Sequence, residues 1–366
     1  MNRLRILTLL TSILAISIYI SKHQNSYTQI EQQGLVIDTS WLTSNDSSVI
    51  DKQDRRSPDQ TFLTYPEWFL VHSPAEQAAF LKQNTSTKFP FSSHIWQIWE
   101  SYSIVNDQIK DNFEYNSDYH MMIKVIGVSA TIEYFMKGWY ETVFGRLTDT
   151  SKGEMQTQED RFNYQYNQDY VDFIRKLPWY EFDFKSRIGD LWTDTSFFGD
   201  HFLRKLERKY FLTSELMVKS AYGYLIKLGT RSVFEPAALT TVIVIDGYRP
   251  EVEKIIDVEL IKKVSDTQAI LRVPRYAAFN PTAQKMSDLG VEFKEIAGNS
   301  SALLITVLTQ SDWQIELPYI KTIFTQILPS NLKMKRTALV TTVADLSKVL
   351  KQLKSEEVNI EHIYDY

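Results

Sequence analysis

Six histidines are spread along a chain of 366 residues that contains no cysteine. His72, His94, His120 and His201 fall in one helix-rich stretch, together with Glu67, Glu133, Glu141 and Asp169. Neutral imidazole nitrogens and carboxylate oxygens are the donor set of a zinc-type centre, so His94, His120 and His201 are the candidate metal ligands. No His-x-x-x-His or His-Glu-x-x-His spacing occurs, so no helical turn offers two imidazoles on one face. The plainer expectation is that these histidines are hydrogen-bonded residues of core or surface. An axial haem role for His120 is weaker still, because covalent haem attachment needs cysteine. No cofactor is expected.

A second chemistry lies in two carboxylates with aromatic neighbours. Glu67 precedes Trp68, and Glu181 follows Trp179 and Tyr180. Burial among rings raises a carboxyl pKa, which is how a general acid is made. Glu67 and Glu181, with His72 as base, are therefore the candidate catalytic residues. The competing reading is a carboxylate that caps a helix or accepts from a tyrosine or tryptophan. Neither Gly-x-Ser-x-Gly, Gly-x-Gly-x-x-Gly nor a phosphate-binding loop appears, so hydrolase and nucleotide signatures are missing. Asp160, Asp169 and Asp172 read as a solvated helix face with ion pairs.

The elements that must position these residues are mainly helical up to residue 236. Pro66 suits the first turn of a helix with Thr64 as cap, and Ser73-Pro74-Ala75-Glu76 predicts a second start. Ile95, Ile98, Trp99 and Tyr102 share one helical face. The longest predicted helix covers residues 119–147, apolar from 121 to 135, with Glu133, Lys137 and Glu141 in a ladder four apart. Charges near a bilayer centre cost ~2.5–3.5 kcal/mol each, so this reads as a core helix with one charged stripe. A membrane span here instead predicts an uncovered apolar face on residues 121–136. Further helices are expected at 159–176, 202–210 and 213–228, the last ended by Gly229. Aromatics are abundant, with 20 Tyr, 20 Phe and 8 Trp, enough for a large core or an interface.

From Thr240 the period shortens. Strands are predicted near residues 241–245, 270–273, 291–296, 302–308, 338–343 and 358–363. Helices are predicted near 281–289, 316–327 and 346–354. Strand–helix–strand–strand–helix–strand is the ferredoxin-like order, which places helices on one face of an antiparallel sheet.

The chain opens with Arg3 and Arg5 before an uncharged stretch over residues 6–20, closed by Ser21, Lys22 and His23. A helix of that length rises ~22 Å at ~1.5 Å per residue, short of a ~30 Å hydrocarbon core unless Leu4 and snorkelling side chains help. Ala15-Ile16-Ser17 offers a signal-peptidase site, but the apolar run continues through Ile18-Tyr19-Ile20, which favours an uncleaved anchor. The basic flank puts the N-terminus in the cytoplasm and the bulk of the chain outside it, in a periplasm-like compartment. Residues 24–60, rich in Gln, Ser, Asn and Asp, read as a disordered tether. The expected organisation is thus an anchor or signal peptide at 1–23, a linker at 24–60, an aromatic-rich all-α domain at 61–236, and a ferredoxin-like α+β domain at 237–366. A net charge of −5 argues against a nucleic-acid partner.

The C-terminal run from Arg336-Thr337-Ala338-Leu339-Val340 through Asp345 and Leu350, ending in Val358-Asn359-Ile360-Glu361-His362-Ile363-Tyr364, resembles half of an ACT domain. That family binds small regulatory ligands beside a strand–helix turn. This chain departs from it in lacking the Pro-Gly that follows the aspartate. Tyr65-Pro66-Glu67-Trp68 resembles a segment of uncharacterised bacterial membrane-anchored proteins, which implies a location and no activity. The expected function is an exported, membrane-tethered binding, sensory or assembly protein, held through residues 4–20 and meeting a small molecule or a protein. The alternative is an extracytoplasmic hydrolase. Convergence of Glu67, Glu181 and a histidine in one open cleft would favour the enzyme.

Overall fold

The β-branched run Thr240–Asp246 (β2) forms the centre of a four-stranded antiparallel sheet, between Ala269–Pro274 (β4) and Glu292–Ile296 (β5), with Glu259–Lys263 (β3) at the edge beyond β4. The computed structural model describes residues 30–32, 41, 48–57, 59–152, 156–233 and 238–364. The expected membrane-targeting segment, residues 4–20, lies outside the described residues. A second sheet has Ala302–Gln310 (β6) between Asn331–Thr342 (β8) and Asn359–Ile363 (β9), with Lys321–Leu328 (β7) beyond β8 and Ile30–Gln32 (β1) paired to β7. The chain is therefore an α+β protein.

These sheets repeat one topology. Strand order β3-β4-β2-β5 matches β7-β8-β6-β9 position for position. Each unit carries one helix before its last strand: α9 (Phe279–Asp288) in the first and α10 (Leu346–Ser355) in the second. Phe279, Ala283 and Met286 on α9 recur, at one constant offset, as Leu346, Leu350 and Leu353 on α10, and all six are buried in one shared core. The expected six-element order fails at residues 316–327, where β7 replaces a helix. Ile320, Ile323, Phe324 and Ile327 mimic a helical face, but a hairpin through Pro329-Ser330 pairs the run with β8. Tertiary pairing outweighs a four-residue periodicity.

The helical part covers the other face of the five-stranded sheet. Its first helices are α1 (Gln60–Glu67), α2 (Phe69–Leu81) and α3 (Phe91–Ile109), followed by α4 (Ser117–Tyr140). A π-turn, Glu141–Gly145, carries α4 straight into α5 (Arg146–Lys152). Then come α6 (Gln158–Ile174), α7 (Phe184–Asp194) and α8 (Phe202–Val233). Phe62, Leu63, Val105 and Ile123 from α1, α3 and α4 share a core with Leu304, Phe324 and Val340 of the sheet. Two helix starts follow capping chemistry, Asn116 accepting from Tyr119 N at 3.2 Å on α4 and Thr157 with Asp160 forming a capping box on α6, whereas α1, α2 and α3 begin without a side-chain cap. Pro74 does not restart a helix but sits inside α2, and Gly229 does not end α8. Packing against α6 holds α2 together past the missing proline donor.

Part of the stretch read as a tether is packed. Ile50 is buried against Val242, Val244 and Ile270 on the outer face of the four-stranded sheet. Arg55 donates to Ile50 O at 2.6 Å and Ser48 O at 2.7 Å. Composition alone missed this because one apolar residue suffices once a sheet face is available.

Close packing of α4 on α3 rests on Gly127, where a Cβ would stand 2.9 Å from the Trp99 ring. Trp99 Nε1 donates to Thr131 Oγ1 at 3.0 Å, which pins that ring. Alanine normally favours a helix over glycine by ~1 kcal/mol, yet Gly127→Ala is expected to destabilise by ~1–3 kcal/mol through overpacking. A lowered urea midpoint checks this; a raised one would mean that the ring yields.

Candidate functional site

The seam between α2 and the five-stranded sheet holds a connected cluster of ionisable groups. Helical spacing puts His72 and Glu76 on one face of α2, with Ser73 beside them. On the sheet side, Arg336 sits mid-strand in β8, and Glu361 occupies a bulge in β9. There the register slips between Thr306 and Val307, leaving Glu361 without a partner across the ladder. A bulge breaks the in–out alternation of a strand, so both Glu361 and His362 reach the helical layer. His362 stacks on Trp68 with ring centroids 3.5 Å apart.

Arg336 joins the two layers. It donates to Glu361 from Nε at 2.6 Å and from a terminal nitrogen at 2.7 Å, and to Glu76 Oε1 at 2.9 Å. His72 Nδ1 lies 3.3 Å from Glu361, and its Nε2 meets the Tyr364 hydroxyl at 2.9 Å. Burial drives the His72 pKa down to about 3, with the Glu361 charge opposing. His94 is likewise lowered to about 3, by burial and then by the Arg336 charge. For Glu361, burial pushes upward but the Arg336 guanidinium and His72 outweigh it and hold the carboxyl at about 2. Glu76 is raised, because burial there prevails over Arg336. One cation thus serves two carboxylates unequally, and both imidazoles are neutral at pH 7.

One triplet brings together the residue types of a hydrolytic triad. Ser73 Oγ is 2.8 Å from His94 Nδ1, while His94 Nε2, 3.5 Å from Glu76 Oε2, makes no hydrogen bond. Chemistry also needs access. Ser73 and His94 are 1% and 0% exposed, and the serine hydroxyl also engages Tyr134 at 2.7 Å. The adjoining cavity, lined by Tyr65, Phe69, His72, Gln97, Gln326 and Arg336 among others, measures ≈ 10 Å³. That is the lower bound for one water molecule and leaves no room for a substrate.

No protein-family model, curated protein or solved structure matches the chain.

The candidate residues read from the sequence are scattered around this seam. Glu67, at the end of α1, accepts from the Tyr119 hydroxyl at 2.7 Å, and burial raises its pKa against that bond. Glu181 lies in a short turn at the surface and pairs with Lys227. His72 alone of the three joins the cluster. His94 lies in it too, stacked on Phe89 at 4.6 Å. His120 bonds the Tyr102 hydroxyl through Nδ1 at 2.7 Å and stacks on Tyr115. His201 sits ahead of α8 with φ 61°. His94, His120 and His201 are not gathered, and among the described residues no three His, Asp or Glu side chains are placed to hold a metal ion. Sequence reasoning missed Ser73, Glu76, Arg336, Glu361 and Tyr364. Its one available signal was an arginine entering the apolar strand Thr337-Ala338-Leu339-Val340.

Proposed function

We propose that this is a membrane-tethered, non-enzymatic binding or assembly protein working outside the cytoplasm, with a protein or small molecule as partner. The observation that carries the reading is the sealing of its acid–base groups: Ser73, His94, Glu76 and His72 are all buried, so a general acid or nucleophile has no substrate to meet. The basic-flanked apolar segment at residues 6–20 supports the tether. A hydrolase is the second reading, favoured by the Ser73–His94 hydrogen bond with Glu76 beside it.

Two measurements on the full chain test this. A fluorophosphonate probe is expected to leave Ser73 unmodified; labelling that disappears in Ser73→Ala would establish the hydrolase instead. Alkaline extraction is expected to leave the chain in the membrane pellet, and quantitative release would remove the tether.

A further inference from the structure

Among the described residues, the two longest helices are turned inside out. Along α4 and its continuation, Val125, Val128, Ile132, Met136, Trp139 and Val143 are all exposed, Met136 by 63%. Between residues 121 and 147 the exposed charged residues are Lys124 and Arg146, and the Glu133 side chain is 40% exposed beside its lysine partners. Lys124 and Arg146 bracket an apolar stripe of ~33 Å at ~1.5 Å per residue. Helix α8 goes further. Leu203, Leu206, Tyr210, Val218, Leu225 and Leu228 are exposed, and no charged residue of this helix up to residue 228 is.

Most of those charges lie inside the bundle. Lys137 meets Glu133 and Glu215 at 2.8 Å each, and Lys219 meets the same two carboxylates at 3.3 and 3.2 Å. Farther along, Arg208 meets Glu141 at 2.7 Å, Arg204 meets Asp160 at 2.7 Å, and Lys205 meets Glu159 at 3.0 Å. Arg204 and Arg208 are completely buried. Burying paired ions while presenting aliphatic side chains outward reverses the order that water imposes. A hydrocarbon surface imposes this order, with polar groups turned inward and satisfied by one another.

We infer that the outer face formed by α4 and α8 lies in a lipid leaflet, as an in-plane seat rather than a crossing. Two observations choose between these. Among the described residues no helix is long and apolar enough to cross a membrane. The bundle is also one-sided, since α6 presents Arg161, Gln165 and Asp172 to solvent, and lipid cannot surround a bundle with such a wall. A half-apolar surface with charged residues confined to its rim is the form that settles among headgroups. Charges of both signs stand at its ends, Lys124 with Glu114 and Asp118, and the exposed, mutually packed rings of Trp192, Phe197, Phe198 and Phe202 stand at the start of α8. This seat deepens the tethered reading, in which the N-terminal segment already holds the chain beside a bilayer.

The absence of cysteine makes the test direct. Ile132→Cys, Met136→Cys and Leu225→Cys report the seat, and Gln165→Cys and Asp172→Cys report the α6 wall, each labelled with a nitrobenzoxadiazole dye. The full chain is reconstituted in vesicles of phosphatidylethanolamine and phosphatidylglycerol (3:1). Nitroxide-bearing lipids are expected to quench the three seat labels several-fold more than the two wall labels, and aqueous iodide to do the reverse. Iodide quenching equal at all five positions would overturn the seat. So would seat labels reached by neither quencher, which would mean that protein, such as a second copy, covers the face. Alkaline extraction separates the two ideas: a chain retained in the pellet with iodide-accessible seat labels loses the seat alone, and a released chain with lipid-quenched labels loses the tether alone.

Discussion

Arg336→Leu is expected to destabilise the protein by about 3–5 kcal/mol, the cost of leaving a buried ion without its partner. Arg336 is 3% exposed and donates to two buried carboxylates, Glu361 and Glu76. Without it, Glu361 loses the charge that holds its pKa at about 2, and its burial is no longer offset. The loss should be largely reversed by removing the carboxylates as well. In Arg336→Leu combined with Glu361→Gln and Glu76→Gln no uncompensated charge remains, and such replacements are often close to neutral. Urea unfolding at pH 7 measures both variants. A single-variant loss below about 1 kcal/mol would place the guanidinium in the range of a solvent-screened surface pair and contradict the sealed seam.

Mild acid is expected to have an effect of similar size. His72 and His94 sit at about 3 in the folded protein, against an ordinary value of 6.5. The unfolded chain therefore takes up protons below pH 6.5 that the folded chain refuses. Their contribution is complete above 6.5 and is lost as pH falls toward 3. At pH 5 each histidine has lost about 2 kcal/mol at ~1.36 kcal/mol per unit, about 4 kcal/mol together. His362, also lowered by burial, acts in the same direction. Glu361 adds to the loss only between 4.5 and about 2. Glu76 opposes it, since a raised carboxyl pKa favours the folded state as pH falls. Thermal unfolding should show the melting temperature dropping steeply from pH 7 to 5, and His72→Gln should remove about half of the two-histidine share. A flat profile over that range would mean that these imidazoles are solvated.

How much of this was legible beforehand differs by level. The switch from helical to strand periodicity near Thr240 could be read directly, because alternation and 3.6-residue spacing are properties of neighbouring residues. The repeat could not, since Phe279 and Leu346 occupy equivalent places in two units without being alike. A topological repeat is a matter of strand order, and pairing between distant segments is invisible in either one. The cluster was half legible: His72 and His94 were singled out, but for a metal or for catalysis. Their partners Arg336 and Glu361 lie more than two hundred residues away, and the bulge that aims Glu361 exists only in the paired strand.

The sharpest case is the ladder Glu133, Lys137 and Glu141. By itself the sequence determined that this helix is two-faced, with one charged stripe and one apolar stripe, and that the chain is α+β with no cysteine chemistry. It could not determine which stripe faces inward. That was decided by Glu215, Lys219 and Arg208 on α8, which meet the ladder with opposite charges. An isolated amphipathic helix buries its apolar side because water repays hydrogen bonds to the charges. When a second helix supplies those counter-charges and leaves its own apolar face outside, the balance reverses, and only the tertiary structure contains that second helix.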